Sequence, residues 1–351
     1  MTRVLVVRND KIGDFMLAWP ALALLKQAGC EVSVLVPAYT EPLARLCPSV
    51  DDVIVDVGEK GTATAKTALL AQIREKQFDA ALALFSNWRN ATLLSQAQIP
   101  YRLAPATKLA QIRYTHRLTQ RRSRSEKPEW LYNLDLAAKL LQDFGLPVTS
   151  VGPPYFPLSA LTREQWRHQL AESLSLSEES RWMMVHVGSG GSANNLSLEQ
   201  YERLIVTLSM RLVGLQFVLT AGPSEQAVVG GVYTRLLAQR VPAVMWVSND
   251  GLATFAQGLA TAHCMVAGST GPLHIAGALD VPTVGFFPRL QSSTALRWQP
   301  LNTPSNHLAI SVPDDSEDPE SFDSLDIEQV AGQVAAWLAA SAPKDRQTQP
   351  E

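Results

Sequence analysis

Between an apolar stretch starting at Cys264 and a helical pattern running to Leu279 lies Ser269-Thr270-Gly271-Pro272, and a second apolar run, Val281 to Pro288, follows. This is the signature of a strand, turn, helix, strand unit with proline in the first helical turn. Unpaired N–H groups at a helix start, two small hydroxyls and a glycine permitting close approach form a seat for phosphate or pyrophosphate that needs no lysine. His274 stands one turn further along. A buried crossover whose glycines serve packing would carry the same pattern.

Asp14 follows Gly13 where the first apolar strand gives way to a helix. A carboxylate there faces the carboxyl edge of a sheet and suits a general base acting on a hydroxyl nucleophile. Aspartate is also a favoured helix N-cap, and the residues alone favour the cap. Asp10 competes less strongly for the same chemical role.

Three further constellations border strand ends. His186-Val187-Gly188-Ser189-Gly190-Gly191-Ser192-Ala193-Asn194-Asn195 reads as a second phosphate-contacting loop or as a glycine loop with no ligand. It matches neither G-x-G-x-x-G nor a Walker loop, so nicotinamide binding and nucleotide hydrolysis lack their signatures. Glu225, after Thr220-Ala221-Gly222, suits a ribose or a first-turn carboxylate. Val247 to Leu252 could border a nucleobase.

Lys108, Arg113, Arg117, Arg121, Arg122, Arg124 and Lys127 crowd a stretch whose one acid is Glu126. Such a run attracts phosphorylated or carboxylated acceptors and anionic lipid head groups, and otherwise is a solvated loop. Few stacking aromatics accompany it, which argues against single-stranded nucleic acid. His186 and His274 have no third partner at metal spacing, so no metal site is expected.

Alternating strands and helices must position these groups. Val4–Val7, Glu31–Val36, Val53–Val57 and Ala80–Phe85 read as strands, with helices over Phe15–Ala28 and from about Thr64 to Lys76. Pro147 to Pro157 is the expected linker. The rhythm restarts with a helix from Thr162, a strand at Trp182–Val187, a helix at Leu198–Leu212 and a strand at Gln216–Thr220. Gln226–Ala238, Val244–Val247 and Leu252–Ala260 continue it, and a last helical pattern spans Ile327–Ala340. The fold class is therefore α/β, with two doubly wound halves and ligands expected between their strand carboxyl ends.

The chain has 351 residues, 46% of them hydrophobic and 18% charged, enough for two domains each with a core of its own. A net charge of −3 offers no general attraction to nucleic acid. Cys30, Cys47 and Cys264 show no metal spacing and read as reduced thiols. The apolar start is too short for a signal peptide, and no stretch reaches membrane-spanning length. A cytoplasmic protein, soluble or peripheral on a membrane, is the expectation.

Taken together, three segments resemble the bacterial lipopolysaccharide heptosyltransferases of glycosyltransferase family nine. They are Val4 to Pro20 with its I-G-D turn and Leu17-Ala18-Trp19-Pro20, His186 to Tyr201 with H-x-G-S-G-G, and Gly268 to Pro288 with S-T-G-P-L-H-I-A-x-A-L. The resemblance implies a GT-B architecture: an acceptor domain at 1–150, a nucleotide-sugar domain at 151–325, a helix at 326–342 packing back on the first domain, and a mobile tail at 343–351. It implies inverting, metal-independent transfer without a cofactor, typically of L-glycero-D-manno-heptose from ADP-heptose to the inner core of lipopolysaccharide. Asp14 then corresponds to the catalytic base. Gly13, Ser189, Gly190, Asn194, Glu225, Ser269, Thr270, Gly271 and His274 would surround the donor, and Arg113, Arg117 and Arg121 would serve an anionic glycolipid acceptor, with peripheral contact to the inner membrane.

Two positions depart from the family pattern. Many members carry a lysine where Asn194 stands and an acid where Ser269 stands. One charge of each sign is lost beside the donor, which keeps local neutrality and changes the hydrogen-bonding options. Rival readings are a transferase or epimerase using another nucleotide sugar, or a non-catalytic binding homologue.

Overall fold

The structure, a computed structural model, describes residues 1–107, 109–188 and 194–341. Its first half runs β1 (Arg3–Val7), α1 (Ile12–Met16), α2 (Trp19–Gln27), β2 (Glu31–Pro37), α3 (Glu41–Leu46), β3 (Asp52–Asp56), α4 (Ala63–Glu75), β4 (Ala80–Ala83), α5 (Trp88–Gln96), β5 (Tyr101–Pro105), β6 (His116–Leu118) and α6 (Glu129–Asp143). The second half runs α7 (Ala160–Leu174), β7 (Arg181–His186), α8 (Leu198–Arg211), β8 (Leu215–Ala221), α9 (Gln226–Ala238), β9 (Ala243–Val247), α10 (Leu252–Leu259), β10 (Cys264–Gly268), α11 (Gly271–Ala278), β11 (Thr283–Phe287), α12 (Ala295–Trp298), β12 (His307–Ser311) and α13 (Ile327–Ser341).

Among the described residues these strands form two parallel six-stranded sheets, ordered β3-β2-β1-β4-β5-β6 and β12-β11-β10-β7-β8-β9. Each order reverses once, between β1 and β4 and between β7 and β10. A crevice opens at such a switch point, outside the strand carboxyl ends. Register is set by the strands' apolar runs, which pair Val4 with Val32 and with Ala80, and Val266 with Val185 and with Val284.

Strand alternation sorts the core. Val4 and Val6 join one cluster with Trp182, Met184, Met265 and Ala267, so the inner faces of both sheets share a single apolar interior. Leu5 and Val7 face the outer helices of the first half, and Met183, Val185 and Val266 those of the second. The segment from Pro147 to Pro157 carries neither helix nor strand. It is tied down where the Tyr155 and Phe156 N–H groups both donate to the Ala278 carbonyl, at 3.0 and 2.8 Å.

Two expectations need correction. The helix read over Phe15–Ala28 is divided: α1 ends at Met16 and α2 begins at Trp19. Pro20 has no N–H to donate, and its ring would clash with the carbonyl four residues back, so it fits only the first turn of a new helix. The terminal helix α13 does not pack back on the first half; it lies on α8 and β12. Its stripe of Val330, Val334 and Leu338 shares an apolar cluster with Ile205 and Leu208 of α8, and Glu328 accepts from the Thr207 hydroxyl at 2.8 Å. The polar tail lies outside the described residues.

Candidate active site

A cleft of about 1020 Å³ opens between the two halves, where α1 meets α11. Gly13 and Asp14 line it from the first half. Asn194, Glu225, Ser269, Thr270, Gly271 and His274 line it from the second. Residues far apart in sequence converge because both sheets present their carboxyl edges to one gap.

Asp14 is not a helix cap. Lys11 occupies the N-cap of α1 without a side-chain cap bond, and Asp14 sits inside the first turn. Its Oδ1 accepts a short charge-assisted bond from Arg8 Nη2. Arg8, one residue past β1, is 3% exposed and also donates Nη1 to the Leu84 carbonyl at the end of β4, at 3.2 Å. Burial works against the Arg8 charge, but Asp10, Asp14 and Glu129 together outweigh it and hold the guanidinium above its ordinary value. Asp14 is thus anchored by one oxygen at a cleft wall.

Asp10, the weaker competitor, is absent from the cleft wall. Its Oδ1 lies 3.0 Å from Arg8 Nε. Burial pushes its carboxyl up to about 6 against the pull of Arg8, and the neighbouring Asp14 charge adds to the rise.

Across the cleft, Thr270 is the N-cap of α11 but makes no side-chain cap bond, its hydroxyl lying 3.3 Å from the Gly268 carbonyl instead. The first-turn N–H groups of Gly271 and Leu273 therefore have no intrahelical acceptor, and Pro272 between them has none to offer. Ser269 is half-buried beside them. His274 packs its buried ring on Gly13, and burial pushes it down to about 4, opposed by the charge of Asp14. The imidazole is neutral at physiological pH.

Glu225 is locked by its own loop. Its Oε2 accepts from the Gly222 N–H at 3.0 Å and stands 3.7 Å from His186 Nε2. The His186 Nδ1 shares a 3.0 Å contact with the Thr220 hydroxyl, and burial lowers its pKa against the pull of Glu225. Asn194 donates to the Glu320 carbonyl at 3.3 Å. Ser248, Asn249 and Gly251, from the loop read as bordering a base, also line the cleft. Ser189 and Gly190, like Lys108 of the basic run, lie outside the described residues.

The three arginines expected at the acceptor are not on the cleft wall. Arg113 stacks its guanidinium 4.6 Å from the Trp88 ring centre. Arg117 is exposed on the edge strand β6, and Arg121 is exposed beyond it. From the same basic run it is Arg122 that turns inward, to Glu129 at 2.5 Å. Sequence reasoning missed Arg8, Tyr39, Glu129, Trp298 and Glu320. Arg8 could have been noticed as a charge immediately past a buried strand; the others stand in loops or helix turns without a motif.

The sequence profile described as "Glycosyltransferase family 9 (heptosyltransferase)" matches residues 66–321. A protein of Haemophilus influenzae named "Putative glycosyltransferase" is 43% identical over 340 residues, covering 96% of this chain and 97% of its own. Among solved structures, the E. coli ADP-heptose lps heptosyltransferase II superimposes with a TM-score of 0.76 at 19% identity, covering 97% of this chain and 99% of that one. The E. coli heptosyltransferase WaaC with ADP gives 0.73 at 17% identity, over 96% and 100%. The paired parallel sheets are therefore the GT-B arrangement, and the chain belongs to glycosyltransferase family 9 and is a glycosyltransferase.

Proposed function

We propose that the enzyme moves a heptose from ADP-heptose, with inversion and without a metal ion, onto an anionic inner-core acceptor of lipopolysaccharide. The observation that carries this reading is that Asp14 from the first half and the open N-terminus of α11 from the second line one cleft. One wall offers a carboxylate with an anchored oxygen, and the other offers backbone donors suited to a diphosphate.

In this proposal Asp14 removes the proton of the acceptor hydroxyl while that oxygen attacks the anomeric carbon from the face opposite the diphosphate. The leaving ADP gains negative charge as its bond to the sugar breaks. Donors around Thr270 and Gly271 stabilise that charge more in the transition state than in the ground state. Glu225 accepts from the ribose, and neutral His274 packs beside the diphosphate. Asn194 and Ser269 face the sugar with neutral groups. Arg113, Arg117 and Arg121 would meet only an acceptor long enough to reach over the first sheet's edge.

Work at the cytoplasmic face of the inner membrane belongs to the same proposal. Among the described residues no helix is long and apolar enough to cross a membrane, so contact would be peripheral.

Purified protein offered ADP-heptose, UDP-sugars and GDP-sugars with a lipopolysaccharide-core acceptor tests the reading. Transfer from ADP-heptose alone is expected, with an inverted anomeric centre in the product. Transfer only from a UDP- or GDP-sugar would overturn it.

A further inference from the structure

Behind Asp14 lies a buried group of charges that crosses from one half to the other. Glu129 stands in the first turn of α6, where a carboxylate suits the helix dipole, and is 3% exposed. Its Oε1 accepts from Arg122 Nη1 at 2.5 Å and lies 3.9 Å from Arg8 Nη1. Its Oε2 accepts from Arg297 Nη2 of the second half at 3.4 Å. Among the described residues this is the one ion pair that joins the two halves.

Arg297 belongs to α12, whose start is capped by Thr294 accepting from the Arg297 N–H at 3.2 Å. The segment leading into α12 forms part of the cleft wall through Pro288, Leu290, Ser292 and Ser293, and Trp298 at the end of α12 also lines the cleft. Trp298 donates back to the Ser292 carbonyl at 2.8 Å, which ties the segment to its helix. A second tie to the first half lies alongside, where the Ser125 hydroxyl donates to the Gln291 backbone carbonyl and the Gln291 side-chain amide donates to the Arg124 backbone carbonyl at 3.3 Å. The element that carries Arg297 is therefore part of the cleft wall.

We propose that Arg297 is a positioning residue that, by holding Glu129 from the second half, keeps Arg8 on Asp14. The inference rests on the reading that the cleft holds a nucleoside diphosphate sugar and that Asp14 is the base. In the structure Arg297 occupies Glu129 Oε2. With that oxygen occupied, Glu129 no longer draws Arg8 inward, and the Arg8 guanidinium stays on Asp14. Without Arg297 the Glu129 charge is left to Arg8 and Arg122 alone, and in a buried setting it pulls Arg8 off Asp14.

Hydrogen exchange with ADP as the probe, together with steady-state kinetics on full-length protein, tests this. In the unmodified enzyme ADP is expected to slow exchange in 288–298 and in 122–131. In Arg297→Gln, which alters a side chain at the half interface and not the core, protection of 288–298 remains and that of 122–131 is lost. The kcat of this variant falls about tenfold while the ADP Kd stays within about threefold. Arg297→Lys restores most of the kcat. Glu129→Gln removes the charge that would draw Arg8 away, so the double variant is expected to recover most of the kcat that Arg297→Gln loses. The inference is overturned if Arg297→Gln keeps its protection at 122–131 and its kcat, or if the double variant stays as slow as Arg297→Gln. If ADP protects no segment of the unmodified enzyme, the nucleotide-donor reading itself has failed.

Discussion

Gly13 and His274 meet face to face across the two halves: a Cβ built on the glycine would lie 2.9 Å from Cδ2 of the imidazole, whose side chain is 1% exposed. Because the obstacle is a buried ring and not the end of a flexible chain, Gly13→Ala must push α1 away from α11. Overpacking of this kind costs about 1–3 kcal/mol. Thermal unfolding is expected to show the loss, and kcat should fall with it because Asp14 is the next residue.

Replacing Asp14 by Asn keeps a hydrogen-bonding partner for Arg8 and removes the proton acceptor. Turnover is expected to drop by about 10²–10⁴-fold. ADP affinity, measured calorimetrically, should change little, since the proposed diphosphate seat is built from the α11 N-terminus and not from Asp14. A variant with near-normal turnover would remove Asp14 from its role.

Arg8→Met leaves Asp10, Asp14 and Glu129 without the guanidinium that they surround. Breaking a buried pair strands the remaining charges, at a cost of about 3–5 kcal/mol. Urea unfolding at neutral pH should therefore show a lowered midpoint, and the loss should shrink as pH falls below about 6, where Asp10 takes up its proton.

Gly188 explains how Glu225 reaches its place. A Cβ there would come within 2.0 Å of Glu225 Oε1, so Gly188→Ala displaces the carboxylate. Weaker ADP binding is expected, similar to that of Glu225→Ala, with kcat at saturating donor reduced less. Equal ADP affinity in all three proteins would dissociate Glu225 from the nucleotide.

Burial pushes both His274 and His307 down to about 4 from an ordinary 6.5. Between those values the unfolded chain takes up protons that the folded protein refuses. Stability is therefore complete above about pH 6.5 and declines as pH falls toward 4, by at most about 1.4 kcal/mol per pH unit for each group. His307→Asn, which retains a polar partner for the Thr283 hydroxyl, should flatten the fall of Tm across this window.

The alternating short apolar strands made the α/β class legible, because strands buried on both faces must be apolar throughout. The turns after β1, β7, β8 and β10 were legible for a related reason: only glycine and small polar residues let the chain bend at a sheet edge and leave donors free. These local rules pointed to Glu225 and the Ser269-Thr270-Gly271 corner as cleft residues, whereas for Asp14 the residues alone favoured a helix cap and only the family resemblance pointed to a base. They did not reach the partners. Arg8 beside Asp14, Glu129 beside Arg8 and Arg297 beside Glu129 are brought together only when two sheets share an interior, and no spacing along the chain encodes such contacts. The same holds for the arginine run, where exposure separates Arg117 and Arg121 from the inward-turning Arg122, and for α13, whose apolar stripe fits more than one surface until α8 is in place. Sequence settled which segments bend and which are buried; packing of the two halves decided which charges face one another, because burial makes a charge depend on whatever neighbour the fold supplies.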